Sequence, residues 1–238
     1  MAVYIMSDIH GMHDKFITML REINFNKDDE LYILGDIFDR GDKPLEILEY
    51  IVRNKNIHLL LGNHEEMFLE AYENGFHDLQ LWFMNGGATT YYSLIEKGEV
   101  YINETYKYIK KLHTFHKLNY GYFSYLLCHA GIEIPPKVHG EYAPDIVDIL
   151  ERNSRTDFLW SRKHIESYYF LESINIICGH TPTINIQHLD EKSGLLVKDE
   201  FKVIQKGSFI YIDCGACFEE GKLACIELLE RGYKSYYV

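Results

Sequence analysis

With 238 residues, 47% of them hydrophobic, the chain is long enough to bury one large core and reads as a single domain. A formal net charge of −12 opposes binding to nucleic-acid polymers or to anionic membranes, since both rely on basic patches. No run reaches the roughly 18–20 apolar residues of a membrane span, and Asp8 ends the first apolar stretch too early for a secretory signal, so a cytoplasmic protein is expected.

The first apolar run, residues 3–6, is strand-like and leads into Asp8-Ile9-His10-Gly11. Residues 12–22 carry apolar positions at helical spacing. A second strand at 31–34 precedes Gly35-Asp36-Ile37-Phe38-Asp39-Arg40-Gly41, and a helix follows at 44–53 with Pro44 in its first turn. The third strand, 58–61, runs into Gly62-Asn63-His64-Glu65, and a helix over 64–74 stops at Asn74-Gly75. Glu65 and Glu66 read as first-turn carboxylates favoured by the helix dipole rather than as metal ligands. Residues 76–116 read as helical and aromatic, with Trp82, Phe83, Tyr91, Tyr92 and Tyr101. They form a helical cap, at about 76–118, that covers one sheet face and lends its edge to substrate selection.

Strands at 125–128 and 174–178 each deliver a histidine, in Cys128-His129-Ala130-Gly131 and Gly179-His180-Thr181-Pro182. An irregular excursion is expected at 137–148, and residues 139–162 are expected to share in the substrate rim. Strands at 209–213, 224–229 and 234–238 complete the pattern. Short βαβ units followed by a strand-rich end point to an α/β fold of mixed sheets flanked by helices, with ligands at the carboxyl ends of the strands.

Five cysteines, an odd number, do not form a disulfide framework. Cys128 and Cys178 read as inert core residues, whereas Cys214 and Cys217 make a Cys-x-x-Cys pair with no second pair to complete a zinc knuckle. His13, His58, His77, His113, His116, His139, His164 and His188 lack the strand-end context and read as surface or satisfied core residues.

Five loops thus aim polar side chains from the ends of five strands. Two divalent cations roughly 3.5–4 Å apart can share a hydroxide, orient a phosphate and stabilise both the attacking and the leaving oxygen. Asp8, His10 and Asp36 are the candidate ligands of one ion, and Asp36, Asn63, His129 and His180 those of the other, with Asp36 as the bridge. This mixture of nitrogen and oxygen donors suits manganese, iron or zinc, and manganese is expected. Water on such ions falls from a pKa of 15.7 toward about 7, so no covalent protein nucleophile is needed. Arg40 can present its planar fork to two phosphate oxygens. His64, directly after Asn63, is placed to act as a general acid, with Asp39 holding its second ring nitrogen.

Asp-x-His-Gly, Gly-Asp-x-x-Asp-Arg-Gly and Gly-Asn-His-Glu, in that order and followed by two strand-end histidines, resemble the signature of the metal-dependent phosphoprotein phosphatases. These are calcineurin-like metallophosphoesterases, and the chain looks most like their compact bacterial and phage serine/threonine members. The resemblance runs from Asp8 to Ile212-Asp213-Cys214-Gly215-Ala216, which looks like the last core-strand segment of the family. It implies an α/β/β/α sandwich of two mixed β-sheets flanked by helices, two divalent metal ions, and the metal and catalytic roles given above, with phosphate binding by Arg40 and Asn63. It also suggests a second phosphate-contacting arginine, Arg162, in Leu159-Trp160-Ser161-Arg162. Leu61, where animal and plant enzymes usually have arginine, and Leu127-Cys128 before the first metal histidine favour a prokaryotic subfamily. Enzymes that split symmetric diadenosine tetraphosphate share most of these strings but typically lack the aspartate equivalent to Asp39.

The expected function is therefore hydrolysis of phosphomonoesters, in phosphoproteins or small phosphorylated compounds, by direct attack of a hydroxide held between the two metals. The alternative is hydrolysis of dinucleoside polyphosphates by the same metals with a different rim. A binding module that has kept the fold but lost turnover is the third reading, and the sequence carries no signal for oligomeric state.

Overall fold

The computed structural model describes residues 1–75, 79–134, 146–171, 174–189, 196–198 and 201–238. The chain begins with β1 (Val3–Met6), α1 (His13–Glu22), β2 (Glu30–Ile33), α2 (Pro44–Arg53) and β3 (Ile57–Leu59). The three strands are parallel neighbours, with Val3 opposite Glu30 and Leu31 opposite Ile57. Four helices follow: α3 (Asn63–Glu73), α4 (Leu79–Met84), α5 (Ala88–Lys97) and α6 (Glu99–Ile109). The second half holds β4 (Phe115–Tyr120), β5 (Phe123–Cys128), α7 (Ile146–Arg152), α8 (Arg155–Trp160) and β6 (Ile174–Cys178). Then come β7 (Gln187–Leu189), β8 (Leu196–Lys198), β9 (Ile204–Lys206), β10 (Phe209–Tyr211), β11 (Ala224–Leu228) and β12 (Tyr233–Tyr237).

These strands make two five-stranded mixed sheets, ordered β12-β11-β1-β2-β3 and β4-β5-β6-β10-β9, and a separate β7-β8 pair. In each large sheet three strands are parallel, β1-β2-β3 in one and β5-β6-β10 in the other.

Strand alternation sorts the side chains into three apolar layers. Val3, Ile5, Tyr32 and Leu34 of the first sheet meet Tyr125, Leu127, Ile177 and Ile210 of the second in the core between the sheets. Their neighbours Tyr4, Met6, Leu31 and Ile33 face outward onto α1 to α6, through Phe16, Leu48, Phe68, Trp82, Leu94 and Ile102. Leu126, Cys128, Ile176 and Cys178 face the opposite way, onto Ile149 of α7 and Phe158 of α8. Each large side chain so buried contributes about 1.5–3 kcal/mol relative to exposure. The result is the expected α/β/β/α sandwich. Among the described residues no helix is long and apolar enough to cross a membrane.

The structure departs from the expected elements in several places. Residues 115–120, expected at the end of the helical cap, form β4, an edge strand that among the described residues pairs only with β5. Its alternation is half-exposed and interrupted by His116, Lys117 and Asn119, so the apolar signal is weak. The short strands β7, β8 and β9 and the helices α7 and α8 were not expected. Three-residue strands and helices of six or seven residues present too few periods to read. The start of the cap at 76–78, most of the excursion at 137–148, His77 and His139 lie outside the described residues.

Candidate active site

The six parallel strands point their carboxyl ends at one place. Asp8 follows β1, Asp36 follows β2, Asn63 opens α3 after β3, His129 follows β5, and His180 follows β6. The two sheets are tied there by His180 N–H, which donates to Asp8 Oδ2 at 2.9 Å, and by His129 Nδ1, 2.8 Å from Leu34 O just after β2. Among the described residues, six of the seven non-glycine residues with left-handed backbone are Asp8, His10, Asp36, Asp39, Arg40 and His180, with φ from 47° to 69°. Such backbone costs about 1–3 kcal/mol per residue and persists only where surrounding contacts fix it, so tight turns, not strands, aim these side chains.

Asp36 sits at the centre of the cluster. Its Oδ2 lies 3.7 Å from His10 Nε2, 3.4 Å from His129 Nε2 and 3.8 Å from His64 Nε2. His10 Nδ1 is 2.9 Å from Phe38 O and His129 Nδ1 is 2.8 Å from Leu34 O. A carbonyl only accepts, so each Nδ1 carries the ring proton and each Nε2 turns a lone pair toward the carboxylate. Asn63 Oδ1 adds a further oxygen, 2.7 Å from His129 Nε2 and 3.0 Å from His180 Nδ1. Lone pairs facing lone pairs at these distances repel unless a cation lies among them, and this donor set fits divalent metal ions. Two groups of donors gather closely enough to share an ion, His10 with Asp36 and His64, and Asp36 with His129 and His180. Asp36 belongs to both. Asp8 Oδ1 stands slightly farther out, 4.0 Å from His10 Nε2, and its Oδ2 is occupied by Ser7 Oγ and the His180 amide.

Electrostatics point the same way. Burial, and after it the charges of Asp8 and Glu65, push the Asp36 carboxyl far above the usual carboxylate range. Burial holds His10, His129 and His180 below the usual imidazole value. Protons are thus poor counter-ions for these imidazoles, whereas metal ions coordinate them neutral.

Beside the cluster, His64 Nδ1 lies 2.7 Å from Asp39 Oδ2 and its Nε2 lies 3.1 Å from Arg40 Nη2. The guanidinium can only donate, so Nε2 accepts and Nδ1 donates to Asp39. Burial and the Arg40 charge lower the His64 pKa. Burial raises Asp39 to about 7, against hydrogen bonds from Thr90 and Trp82. Trp82 Nε1 donates to Asp39 Oδ2 at 2.8 Å and Thr90 Oγ1 to Asp39 Oδ1 at 2.6 Å. Arg40 is exposed, and its Nη1 also donates to Cys217 Sγ at 3.5 Å. Arg162 stands at the far edge, exposed, its Nε donating to Thr181 Oγ1 at 3.3 Å next to His180.

Two residues of the site escaped the sequence reading. Glu65 is fully buried and accepts four backbone N–H groups, from Asp36 at 2.7 Å, Ile37 at 3.0 Å, Phe38 at 3.1 Å and Gly62 at 3.1 Å. It occupies the first turn of α3 as expected, but its work is to hold the loop that carries Asp36. Asp213, buried just beyond β10, feels the Asp8 charge in addition to its own burial, and both push its carboxyl well above the usual range. The signal for it was the one used elsewhere, a carboxylate directly after an apolar strand. His13 lies outside the cluster, 3.3 Å from Asp14. Cys128 and Cys178 are buried in the core, and Cys214 and Cys217 are free thiols.

A family model for calcineurin-like phosphoesterases matches residues 1–206. Serine/threonine-protein phosphatase 2 of Salmonella typhimurium is 29% identical over 164 residues, covering 68% of this chain and 69% of that enzyme. The symmetrical bis(5'-nucleosyl)-tetraphosphatase of Wigglesworthia glossinidia brevipalpis is 45% identical over 74 residues, 30% of this chain and only 27% of that enzyme. Among solved structures, a putative diadenosine tetraphosphatase superposes with a TM-score of 0.62 at 15% identity, covering 99% of this chain and 93% of that one. A protein serine/threonine phosphatase from Saccharomyces cerevisiae gives 0.61 at 14% identity, covering 100% and 80%. At these identities the two structures speak for the fold alone. The sandwich, the Asp36-centred cluster and the match over residues 1–206 converge on one conclusion: the chain belongs to the calcineurin-like phosphoesterase family, metal-dependent hydrolases of phosphate esters.

Proposed function

We propose that the chain is a cytoplasmic phosphomonoesterase that acts on phosphoserine and phosphothreonine in proteins, with two manganese ions at the strand ends. The observation that carries this reading is the 2.7 Å contact between His64 and the fully buried Asp39. A serine or threonine alkoxide is too basic to leave unprotonated, so its ester needs a positioned acid. A nucleotide leaving a phosphoanhydride departs as a stable anion and needs none.

Asp8, His10 and Asp36 would hold one ion, and Asp36, Asn63, His129 and His180 the other. When bound, the pair supplies acidified water as nucleophile and neutralises charge on the phosphate. Arg40 presents its fork to two phosphate oxygens, joined by Asn63 and, from the opposite edge, by Arg162. An Arg40 engaged by phosphate no longer caps His64 Nε2. The negative charge brought by the substrate then favours the imidazolium that burial and Arg40 otherwise oppose. His64 gives the Nε2 proton to the leaving oxygen while Asp39 keeps the ring in place.

Similarity to serine/threonine-protein phosphatase 2 supports the substrate class. The stretch shared with the tetraphosphatase gives a second reading, anhydride hydrolysis by the same metals. Initial rates with manganese on a phosphoserine peptide and on diadenosine tetraphosphate, against chelator-treated enzyme, separate the two. Preference for the peptide is expected, and His64→Asn should lower that rate by roughly 10²–10⁴-fold with metal content intact. Selective cleavage of the dinucleotide, or an unchanged rate in the variant, would overturn the proposal.

A further inference from the structure

The cap helices α4 and α5 do more than roof one face of the sheet. Asp39 is reached from them by two side chains far away in sequence, Trp82 and Thr90, both essentially without solvent exposure. Trp82 Nε1 and His64 Nδ1 share Asp39 Oδ2, at 2.8 and 2.7 Å. Thr90 Oγ1 donates to Oδ1 at 2.6 Å and accepts from the Asp39 backbone N–H at 2.8 Å. One hydroxyl therefore fixes both the carboxylate rotamer and the left-handed backbone of the same residue, whose φ is 69°.

The turn between the helices is cut to the same purpose. Gly86 O accepts the Arg40 N–H at 3.0 Å, and a Cβ on Gly86 would lie 2.8 Å from Arg40 Cγ. A Cβ on Gly87 would lie 2.3 Å from the Trp82 ring, so the turn closes directly against the indole. The ring is also clamped by Phe68 at 5.8 Å and Tyr91 at 6.3 Å between centroids.

We infer that Trp82 and Thr90 are positioning residues for the acid step, holding Asp39 so that the His64 ring keeps its Nδ1 proton on the carboxylate and its Nε2 toward the substrate. The inference rests on the general-acid reading of His64. A carboxylate with only the histidine as partner could turn about its Cβ–Cγ bond, and the imidazole would lose its fixed tautomer. Hydrogen-bond partners of metal-ligating histidines matter by about 10–100-fold, and a loss within that range is expected for the partners that hold the Asp39–His64 pair.

The test uses leaving-group dependence, which a purely structural role does not produce. Trp82→Phe keeps an aromatic ring and removes the indole N–H, Thr90→Val keeps the shape and removes the hydroxyl, and Thr90→Ser restores it. Turnover is measured on phenyl phosphate, whose leaving group needs protonation, and on 4-nitrophenyl phosphate, whose leaving group needs little, with manganese content and thermal melting recorded for each protein. Trp82→Phe and Thr90→Val should lower kcat on phenyl phosphate by about 10–100-fold and on 4-nitrophenyl phosphate by less than about threefold, with KM and metal content unchanged and Thr90→Ser near the parent. Equal losses on both substrates, or no loss on either, overturn the inference. His64→Asn separates it from the reading beneath it. If that variant discriminates by leaving group and the cap variants do not, only the inference fails. If His64→Asn itself does not discriminate, the acid assignment fails and takes the inference with it.

Discussion

Gly179 has no room for a side chain. A Cβ there would lie 2.0 Å from Asp8 Oδ2 and 2.1 Å from Ser7 Oγ. Gly179→Ala should therefore displace the Asp8 carboxylate, whose Oδ2 takes the neighbouring His180 N–H, and lower bound manganese below two ions per chain while the far-UV circular dichroism stays that of the parent. Full metal content in the variant would mean that Asp8 is not a ligand. At this scale the sequence was most legible where a polar residue follows an apolar run directly, as at Asp8, Asp36, Asn63, His129 and His180, all of which the fold brings together. It was least legible for residues whose partner is backbone or lies far along the chain. Glu65 looks like any first-turn carboxylate, and nothing local in Trp82 or Thr90 indicates that the fold will press them onto Asp39.

Element by element, the loop after β2 and the helix α3 behave as one unit, because the Glu65 carboxylate on α3 accepts from Asp36, Ile37, Phe38 and Gly62. Asp36 Oδ1 in turn accepts the His64 N–H at 3.0 Å, satisfying one of the free donors of the first turn of α3. Glu65→Gln would set an amide NH₂ against two of those N–H groups. The variant should lose about 2–4 kcal/mol of unfolding free energy in urea, since each unsatisfied buried donor costs about 1–3 kcal/mol. A loss too small to measure would show that the loop is held by something else. Strands β1 and β2 and helices α1, α2 and α3 stand close to where the apolar pattern placed them, because each helix buries one continuous face and each strand is buried on both. Strand β4, on an exposed edge, and the short strands β7, β8 and β9 lack such a continuous apolar stretch, and their pairing partners decide their structure.

For the molecule as a whole, the decisive feature is that both sheets end their parallel strands at the same place, so neither sheet alone holds the site. That convergence could be expected from five strand-end motifs, but the strand order could not, because β11 pairs with β1 across more than two hundred residues. The outer core of the second sheet also sets a pH dependence of folding. His164 is buried, stacked on Phe209 at 4.7 Å and Tyr211 at 5.6 Å, and burial, with the nearby Lys206 charge, lowers its pKa to about 3. The unfolded chain takes up this proton near pH 6.5, whereas the folded chain does not until near 3. Stability must therefore fall as pH drops through that window, by up to about 1.4 kcal/mol per pH unit from this group. His164→Leu should flatten the acid limb of the melting temperature against pH below about 6.5. Parallel curves for variant and parent would mean that the folded state protonates His164 freely.

The central claim, that side chains from both sheets form one centre for two metal ions bridged by Asp36, is tested most directly by titrating manganese into chelator-stripped protein while following hydrolysis of 4-nitrophenyl phosphate. Activity should stay near the blank through the first equivalent and rise to its plateau as the second binds. A plateau at one equivalent, or undiminished hydrolysis in the stripped protein, would contradict the two-metal account.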